Sequence, residues 1–312
     1  MFIENLFISG EQMSNIKLLL VFLSGFIGVN QCVLSAETGL PAKTYFTVAK
    51  DINLANALPK DILHKGFIIA GTNPNTPPTT FFMDDNKTLV GREIDLMNAI
   101  AQRLGLSVQW QDTGGFDNVI PGLKIGRYDV AISNIRATPK RFKQVDFVSY
   151  FNTNRQAIIS LSDSKITPFT DLSALCGETV GAGVGTAQVD ILNKTSATCV
   201  AQHKKPISVS VFPDRPAGVL AVISGRIPLF YGPWEGLAWQ VSKVKKLTIV
   251  GTIHVDEPPM SIALSKGSPL GSAIQASLNS LIKDGTYTKI LEYWNVEYGA
   301  LLEAKHNEAI FE

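Results

Sequence analysis

Residues 115–150 constrain the fold of this chain more than any other stretch. Val119, Ile120 and Leu123 give a short helix an apolar side, and Gly126 stops it. A strand is expected immediately afterwards, from Tyr128 to Ser133, and then a polar turn from Asn134 to Lys140. Helix, strand and polar turn in such close succession form a unit of an α/β sheet. In open α/β sheets small ligands dock outside the carboxyl ends of the strands. The turn brings Ser133, Asn134, Arg136, Thr138 and Arg141 to that place. A guanidinium is a planar donor fork matched to two oxygens, so these residues suit a small molecule carrying a carboxylate.

The same alternation runs through the rest of the chain. Gly66-Phe-Ile-Ile-Ala reads as a buried strand ending at Gly71, and Thr72 to Thr80, with three prolines, as a loop. Ile94, Met97, Ile100, Ala101 and Leu104 share one helical face, with Gly105 available as a left-handed cap, and Leu106 to Trp110 alternates as a strand. From Asn152 to Ser160 the chain is expected to be extended. A second series follows: strands at Thr179–Ala182, Ile207–Val211, Ile227–Tyr231, Leu247–Val250 and Met260–Leu264, with helices ending at Leu192, Ser224 and Ser242. Helices from Ser268-Pro269 to Lys283 and from Tyr287 to Trp294 close the chain. The pattern predicts parallel-type α/β architecture with short right-handed crossovers, and 312 residues suffice for two domains. Residues 37–57 lack periodicity and read as an N-terminal extension, a linker or an extra turn.

Twenty-eight basic and 27 acidic residues leave a net charge of +1, which gives no footing for nucleic acid. Leu18 to Val29 is a continuous apolar run between Lys17 and Val33-Leu34-Ser35-Ala36, the order of a secretory signal with cleavage after Ala36. Glu4 and Glu11 do not suit the start of such a signal, which makes Met13 an alternative beginning. An uncleaved anchor and a lipoprotein site at Cys32 are weaker readings, since the run is short for a bilayer and Gln31 is not a small residue. Cys176 and Cys199 remain as an even pair, which in an exported chain favours a disulfide over two free thiols. Four scattered histidines supply no metal site, no cofactor motif is present, and Gly181-Ala-Gly-Val-Gly-Thr lacks the lysine of a phosphate loop.

Phe116, Ile120-Pro121-Gly122-Leu123, Gly126-Arg127-Tyr128-Asp129, Thr138, Lys140-Arg141, Val145-Asp146-Phe147 and Tyr150 agree in order and spacing with a known pattern. The run resembles the extracellular solute-binding proteins, family 3, of polar-amino-acid ABC importers. The likeness extends from about Leu58 to Tyr298. It implies a two-lobed periplasmic-binding-protein fold, type II-like, with two crossover strands at Asn152–Ser160 and His254–Met260. Lobe 1 would comprise 58–154 and 258–306, and lobe 2 residues 155–257.

The resemblance also implies roles. Arg141 would clamp the ligand carboxylate, Phe116 would pack over the ligand, and Gly185 and Thr186 would meet the carboxylate from the second lobe. Ser133 and Asn134 would donate from the strand end. Arg136 stands where the family often has a small hydroxyl residue, and a second cation there would read extra negative charge. Asn73 and Thr76 occupy the loop where the family keeps an acidic and an aromatic residue. Pro233 replaces an aspartate that pairs with a ligand ammonium, leaving Trp234 and Glu235 beside it, with Glu235 as a substitute.

The expected function is therefore a periplasmic, monomeric binding component that closes on an amino acid or related small carboxylate and delivers it to an ABC permease. A periplasmic dehydratase or lyase on the same scaffold is the alternative, with Glu235 as general acid.

Overall fold

A computed structural model describes residues 39–311. The expected signal segment and Cys32 lie outside the described residues.

Two five-stranded sheets carry the chain. The first has the order Ser107–Asp112, Phe67–Thr72, Val130–Ala131, Met260–Ser265, Val145–Phe151. Its first three strands run parallel, and Met260–Ser265 is antiparallel to both neighbours. The second has the order Ser208–Phe212, Thr179–Gly183, Leu229–Pro233, Arg155–Leu161, Leu247–His254. It repeats the plan: three parallel strands, then Arg155–Leu161 antiparallel to both neighbours. The chain leaves the first sheet at Phe151, enters the second at Arg155, and returns between His254 and Met260. Val255 N donates to Asn154 O at 3.0 Å, so the two crossings lie side by side. This is the two-lobed architecture that the resemblance implied. The first crossing is shorter than expected, because Arg155–Leu161 already belongs to the second sheet.

Apolar periodicity explains the helices. Arg92–Arg103 buries Ile94, Met97, Ile100 and Ala101, and Gly105 takes φ +73° as its cap. That face packs with Ile274, Leu278 and Leu281 of Leu270–Lys283, so the C-terminal segment completes the first core. Each of these Ile, Leu and Met side chains contributes about 1.5–3 kcal/mol on burial. Tyr287 Oη donates to Tyr150 O at 2.7 Å and ties Thr286–Tyr293 to the same sheet.

Several elements differ from the sequence expectation. The strand expected over Tyr128–Ser133 contracts to Val130–Ala131. Beyond it the chain leaves the ladder, because Asn134 turns with φ +50° and gives its N–H to Glu93. The helix after Thr186 runs from Ala187 to Ala201 rather than stopping near Leu192. Its apolar pattern fades there, but Cys199 is buried and bonded to Cys176, with Cα atoms 5.6 Å apart, which holds the last turns on the second core. The prolyl loop contains the short strand Asn75–Thr76, paired with Thr80–Phe82, which pairs in turn with Leu89–Val90. The N-terminal extension packs as well: Leu40 bridges Trp110, and Thr44 Oγ1 and Tyr45 N both donate to Asp95 Oδ1 at 2.8 Å. Val48, with Leu40, Phe46 and Leu54, also packs on the first core, but these apolar residues are spaced too irregularly to mark the segment in its own sequence. At the other end His306 bridges Val148, and Phe147 N donates to Asn307 Oδ1 at 3.0 Å.

Candidate functional site

A cavity lies where the carboxyl ends of parallel strands from both sheets converge. Asn73 follows Phe67–Thr72, and Ser133 and Asn134 follow Val130–Ala131. From the second sheet come Thr186, after Thr179–Gly183, the pair Asp214 and Arg215, after Ser208–Phe212, and Tyr231 in Leu229–Pro233. Phe116, Arg136, Arg141 and Gln188, with Thr76 and Phe230, add to the polar and aromatic wall. Strand ends are the natural floor of such a site, because their main-chain groups and first loop residues have no further ladder partner.

Arg141 is placed by local chemistry. Thr138 caps the helix Pro139–Phe142 by accepting from Arg141 N, and Pro139 fits the first turn, where no N–H is needed. The guanidinium lies 5.2 Å from the Phe116 ring centroid. Nη1 donates to Arg136 O at 2.9 Å, and Nη2 donates to Gly185 O at 3.0 Å, across the cleft. Burial, reinforced by the charge of Arg136, pulls its pKa down to about 10, so it stays cationic at neutral pH. Two of its five N–H donors are used by main-chain oxygens, and the others are available to a guest.

Arg136 lines the cavity, as its sequence context suggests, but its charge is already matched. Its Nε pairs with Glu257 Oε2 at 2.9 Å and its Nη1 donates to Pro258 O at 2.7 Å. Glu257 also accepts from Gln156 Nε2 at 2.9 Å, and Gln156 Oε1 accepts from Gln188 Nε2 at 2.9 Å. Arg136 is thus neutralised by the returning crossover, and a relay of amides links that crossover to the cavity wall. Burial lowers its pKa, with Glu257 opposing.

Behind the first-lobe strand ends lies a buried ion pair. Arg92 Nη2 stands 3.3 Å from Glu93 Oε1, and the Arg92 guanidinium lies 3.8 Å from the centroid of the Phe151 ring. Glu93 Oε1 accepts from Asn134 N at 2.7 Å and from the Tyr150 hydroxyl. Burial drives the Glu93 carboxyl upward in pKa, against the opposing pull of Arg92. Asn134 therefore spends its main-chain donor on Glu93 and its Oδ1 on Arg92, at 3.4 Å. Ser133 Oγ accepts from Asn73 N at 3.0 Å, which leaves its own proton to donate, and Asn73 Oδ1 accepts from Asn75 Nδ2 at 3.4 Å.

Of the residues expected from sequence, Asn73, Phe116, Ser133, Asn134, Arg136, Arg141 and Thr186 share this cavity. Gly185 lines the neighbouring cleft instead and reaches the site through its main-chain oxygen on Arg141. Trp234 and Glu235 do not line the cavity. Trp234 stacks on Arg155, whose guanidinium is 4.8 Å from its ring and 5.1 Å from that of Tyr298. Glu235 is buried one layer behind, with no hydrogen-bond partner for either carboxylate oxygen. The reason is helical geometry: Pro233 ends the strand at the wall, and the helix Trp234–Lys243 then turns both side chains off it.

Sequence reasoning missed Asp214, Arg215, Gln188 and Glu257. Asp214 and Arg215 follow a strand expected at Ile207–Val211, so the strand-end rule that found Ser133 could have found them too. Asp214 Oδ1 caps the helix Arg215–Ile223 by accepting from Ala217 N at 2.8 Å. Arg215 is half-buried, and its guanidinium makes no hydrogen bond or ion pair among the described residues. No cluster of three or more His, Cys, Asp or Glu suited to a metal occurs among the described residues.

Comparison with known proteins agrees with this geometry. Residues 68–297 match the model of the bacterial extracellular solute-binding proteins, family 3. An arginine-binding protein of Corynebacterium glutamicum is 28% identical over 89% of this chain and 90% of its own length. Among solved structures, an ancestral arginine-binding protein bound to arginine superposes with a TM-score of 0.66 at 31% identity, covering 73% of this chain and 98% of that one. An ancestral amino-acid-binding protein, described as a precursor of cyclohexadienyl dehydratase, superposes with a TM-score of 0.60 at 26% identity, covering 75% of this chain and 97% of the other.

Proposed function

This chain belongs to the bacterial extracellular solute-binding proteins, family 3, and on that premise we propose that it is the substrate-binding component of an ABC importer that captures an amino acid or related small carboxylate. The observation that carries the reading is Arg141. Its guanidinium faces a cavity formed by both lobes and at the same time holds Gly185 O of the opposite lobe. A ligand carboxylate on its remaining donors would also meet second-lobe groups such as Thr186 and Gln188, which reach it in the closed arrangement alone. Closure is then a hinge equilibrium that the ligand shifts by its preference for one state. Micromolar affinity corresponds to about 8 kcal/mol, within reach of such a clamp covered by Phe116.

In this reading the protein works in the periplasm as a monomer and hands its ligand to an inner-membrane permease. Lobe 1 spans residues 39–154 and 258–311, because both the N-terminal extension and the last residues bond to the first sheet, and lobe 2 spans 155–257.

Binding proceeds without turnover. The alternative chemistry needs a general acid in the cavity: Glu235 sits behind its wall, and the lining carboxylate, Asp214, has one oxygen engaged as the cap of its helix. Native mass spectrometry of protein purified without refolding, together with a thermal-shift panel of amino acids and small acids, tests the reading. A co-purified small carboxylate, or a shift with one, supports it. The absence of both sinks it. Conversion of the bound compound that Glu235→Gln abolishes would establish an enzyme instead.

A further inference from the structure

The cavity wall contains three arginines, and they are not equivalent. Arg136 is matched by Glu257 at 2.9 Å, and Arg141 donates to two main-chain oxygens. Arg215 alone among the described lining arginines donates to nothing. Its place is prepared by Gly236: a Cβ on that residue would stand 1.8 Å from Arg215 Nη1, so only glycine leaves room for the guanidinium. Its backbone is fixed by the Asp214 cap and by Pro216 in the first turn of Arg215–Ile223. Glu235 lies within electrostatic range and counters part of the charge, yet neither of its oxygens accepts a hydrogen bond. A guanidinium half-removed from water with its donors free of protein partners is already partly desolvated, so an arriving anion gains charge-assisted bonds at a reduced cost.

Resting on the binding reading above, we propose that Arg215 is a specificity-determining residue: it reads a second anionic group, so the ligand class is a dicarboxylic amino acid or a small dicarboxylate, held by Arg141 at one end and Arg215 at the other. The two cations come from opposite lobes, which makes a dianion a bridge that favours closure. The loop that could offer acids to a cationic side chain carries Asn73 and Thr76 instead, and the lining carboxylate, Asp214, has one oxygen committed to its helix. Arg215 keeps its proton at neutral pH, although burial brings its pKa down to about 10.

Matched acid and amide probes isolate the second charge. Calorimetry with L-glutamate against L-glutamine, L-aspartate against L-asparagine, succinate and L-arginine is compared for the wild type and Arg215→Gln, with unfolding curves as a check on folding. The wild type is expected to prefer each acid over its amide. Arg215→Gln should cut that preference at least ten-fold while the amides change less than about three-fold, a ten-fold change being 1.4 kcal/mol. A wild type that prefers an amide or L-arginine, or a variant that loses acid and amide equally, overturns the assignment. If one of those overturning results is found while Arg141→Ala still abolishes binding of the amino acid that does bind, the binding reading stands and this inference falls. If no carboxylate in the panel binds, both fall. Should Arg215→Gln fail to fold, Gly236→Ala displaces the guanidinium from the other side and is read by the same acid-to-amide ratio.

Discussion

Arg141 and Gly185 meet across the cleft: Nη2 of the arginine donates to the main-chain oxygen of the glycine at 3.0 Å. One side chain thus faces the cavity and holds the opposite lobe. Gly185 has φ +71°, and a Cβ there would lie 2.9 Å from Asp117 Cβ, so the contact requires glycine both for its backbone and for its space.

Arg141→Ala is expected to abolish detectable binding. Removing one partner of a desolvated ion pair costs on the order of 3–5 kcal/mol, hundreds-fold or more in affinity. Calorimetry measures the loss, and small-angle scattering should show that the added ligand no longer compacts the protein.

Gly185→Ala separates closure from ligand contact. The left-handed backbone costs about 1–2 kcal/mol with a Cβ, and the clash with Asp117 exists only where the lobes touch. Affinity should fall ten-fold or more, while thermal stability without ligand falls by no more than the backbone term. Unchanged affinity would show that this contact plays no part in closure.

Arg136→Ser should weaken every ligand alike rather than acidic ones selectively. The change leaves Glu257 and Pro258 O without their partner and loosens the returning crossover. A selective loss of acidic ligands would restore Arg136 to the role that its sequence position suggested. The probes described for Arg215 decide between the two arginines.

Replacing Cys176 and Cys199 by alanine opens a cross-link between residues 23 positions apart. Loss of stability should be about 3 kcal/mol in the chain-entropy model, visible in urea unfolding under oxidising conditions. Affinity should change little, since neither cysteine lines the cavity.

Acid stability should depend on Asp146. Burial pushes its carboxyl upward, but the Lys266 ammonium at 2.9 Å and Gly267 N–H at 2.7 Å outweigh that and hold its pKa below the ordinary 3.8. A carboxylate lowered in the folded state adds stability that is fully present above its unfolded pKa and is lost as pH falls through the folded value. Asp146→Asn should therefore be less stable than wild type at pH 7. The difference should shrink below about pH 4, as followed by thermal unfolding against pH.

Alternating strand and helix, the Gly105 cap and the placing of Ser133, Asn134 and Arg141 beside a strand end followed from the sequence itself. Each rests on local chemistry: apolar periodicity, a left-handed glycine, or a polar residue directly after a strand. Pairing between distant segments does not leave such a trace. Arg136 and Pro258 are 122 positions apart, and nothing around Arg136 announces that the returning crossover will neutralise it. Trp234 and Glu235 look adjacent to the site in the sequence, yet one helical turn carries both off the wall. Arg215 became a cavity residue because Gly236, on another helix, leaves room for its guanidinium. Secondary structure is set by neighbours along the chain, whereas charge balance in a cavity is set by whichever segments fold against it. The sequence alone therefore determined the class of fold and the place of Arg141 beside a strand end, and only the tertiary structure decided which arginines are already paired.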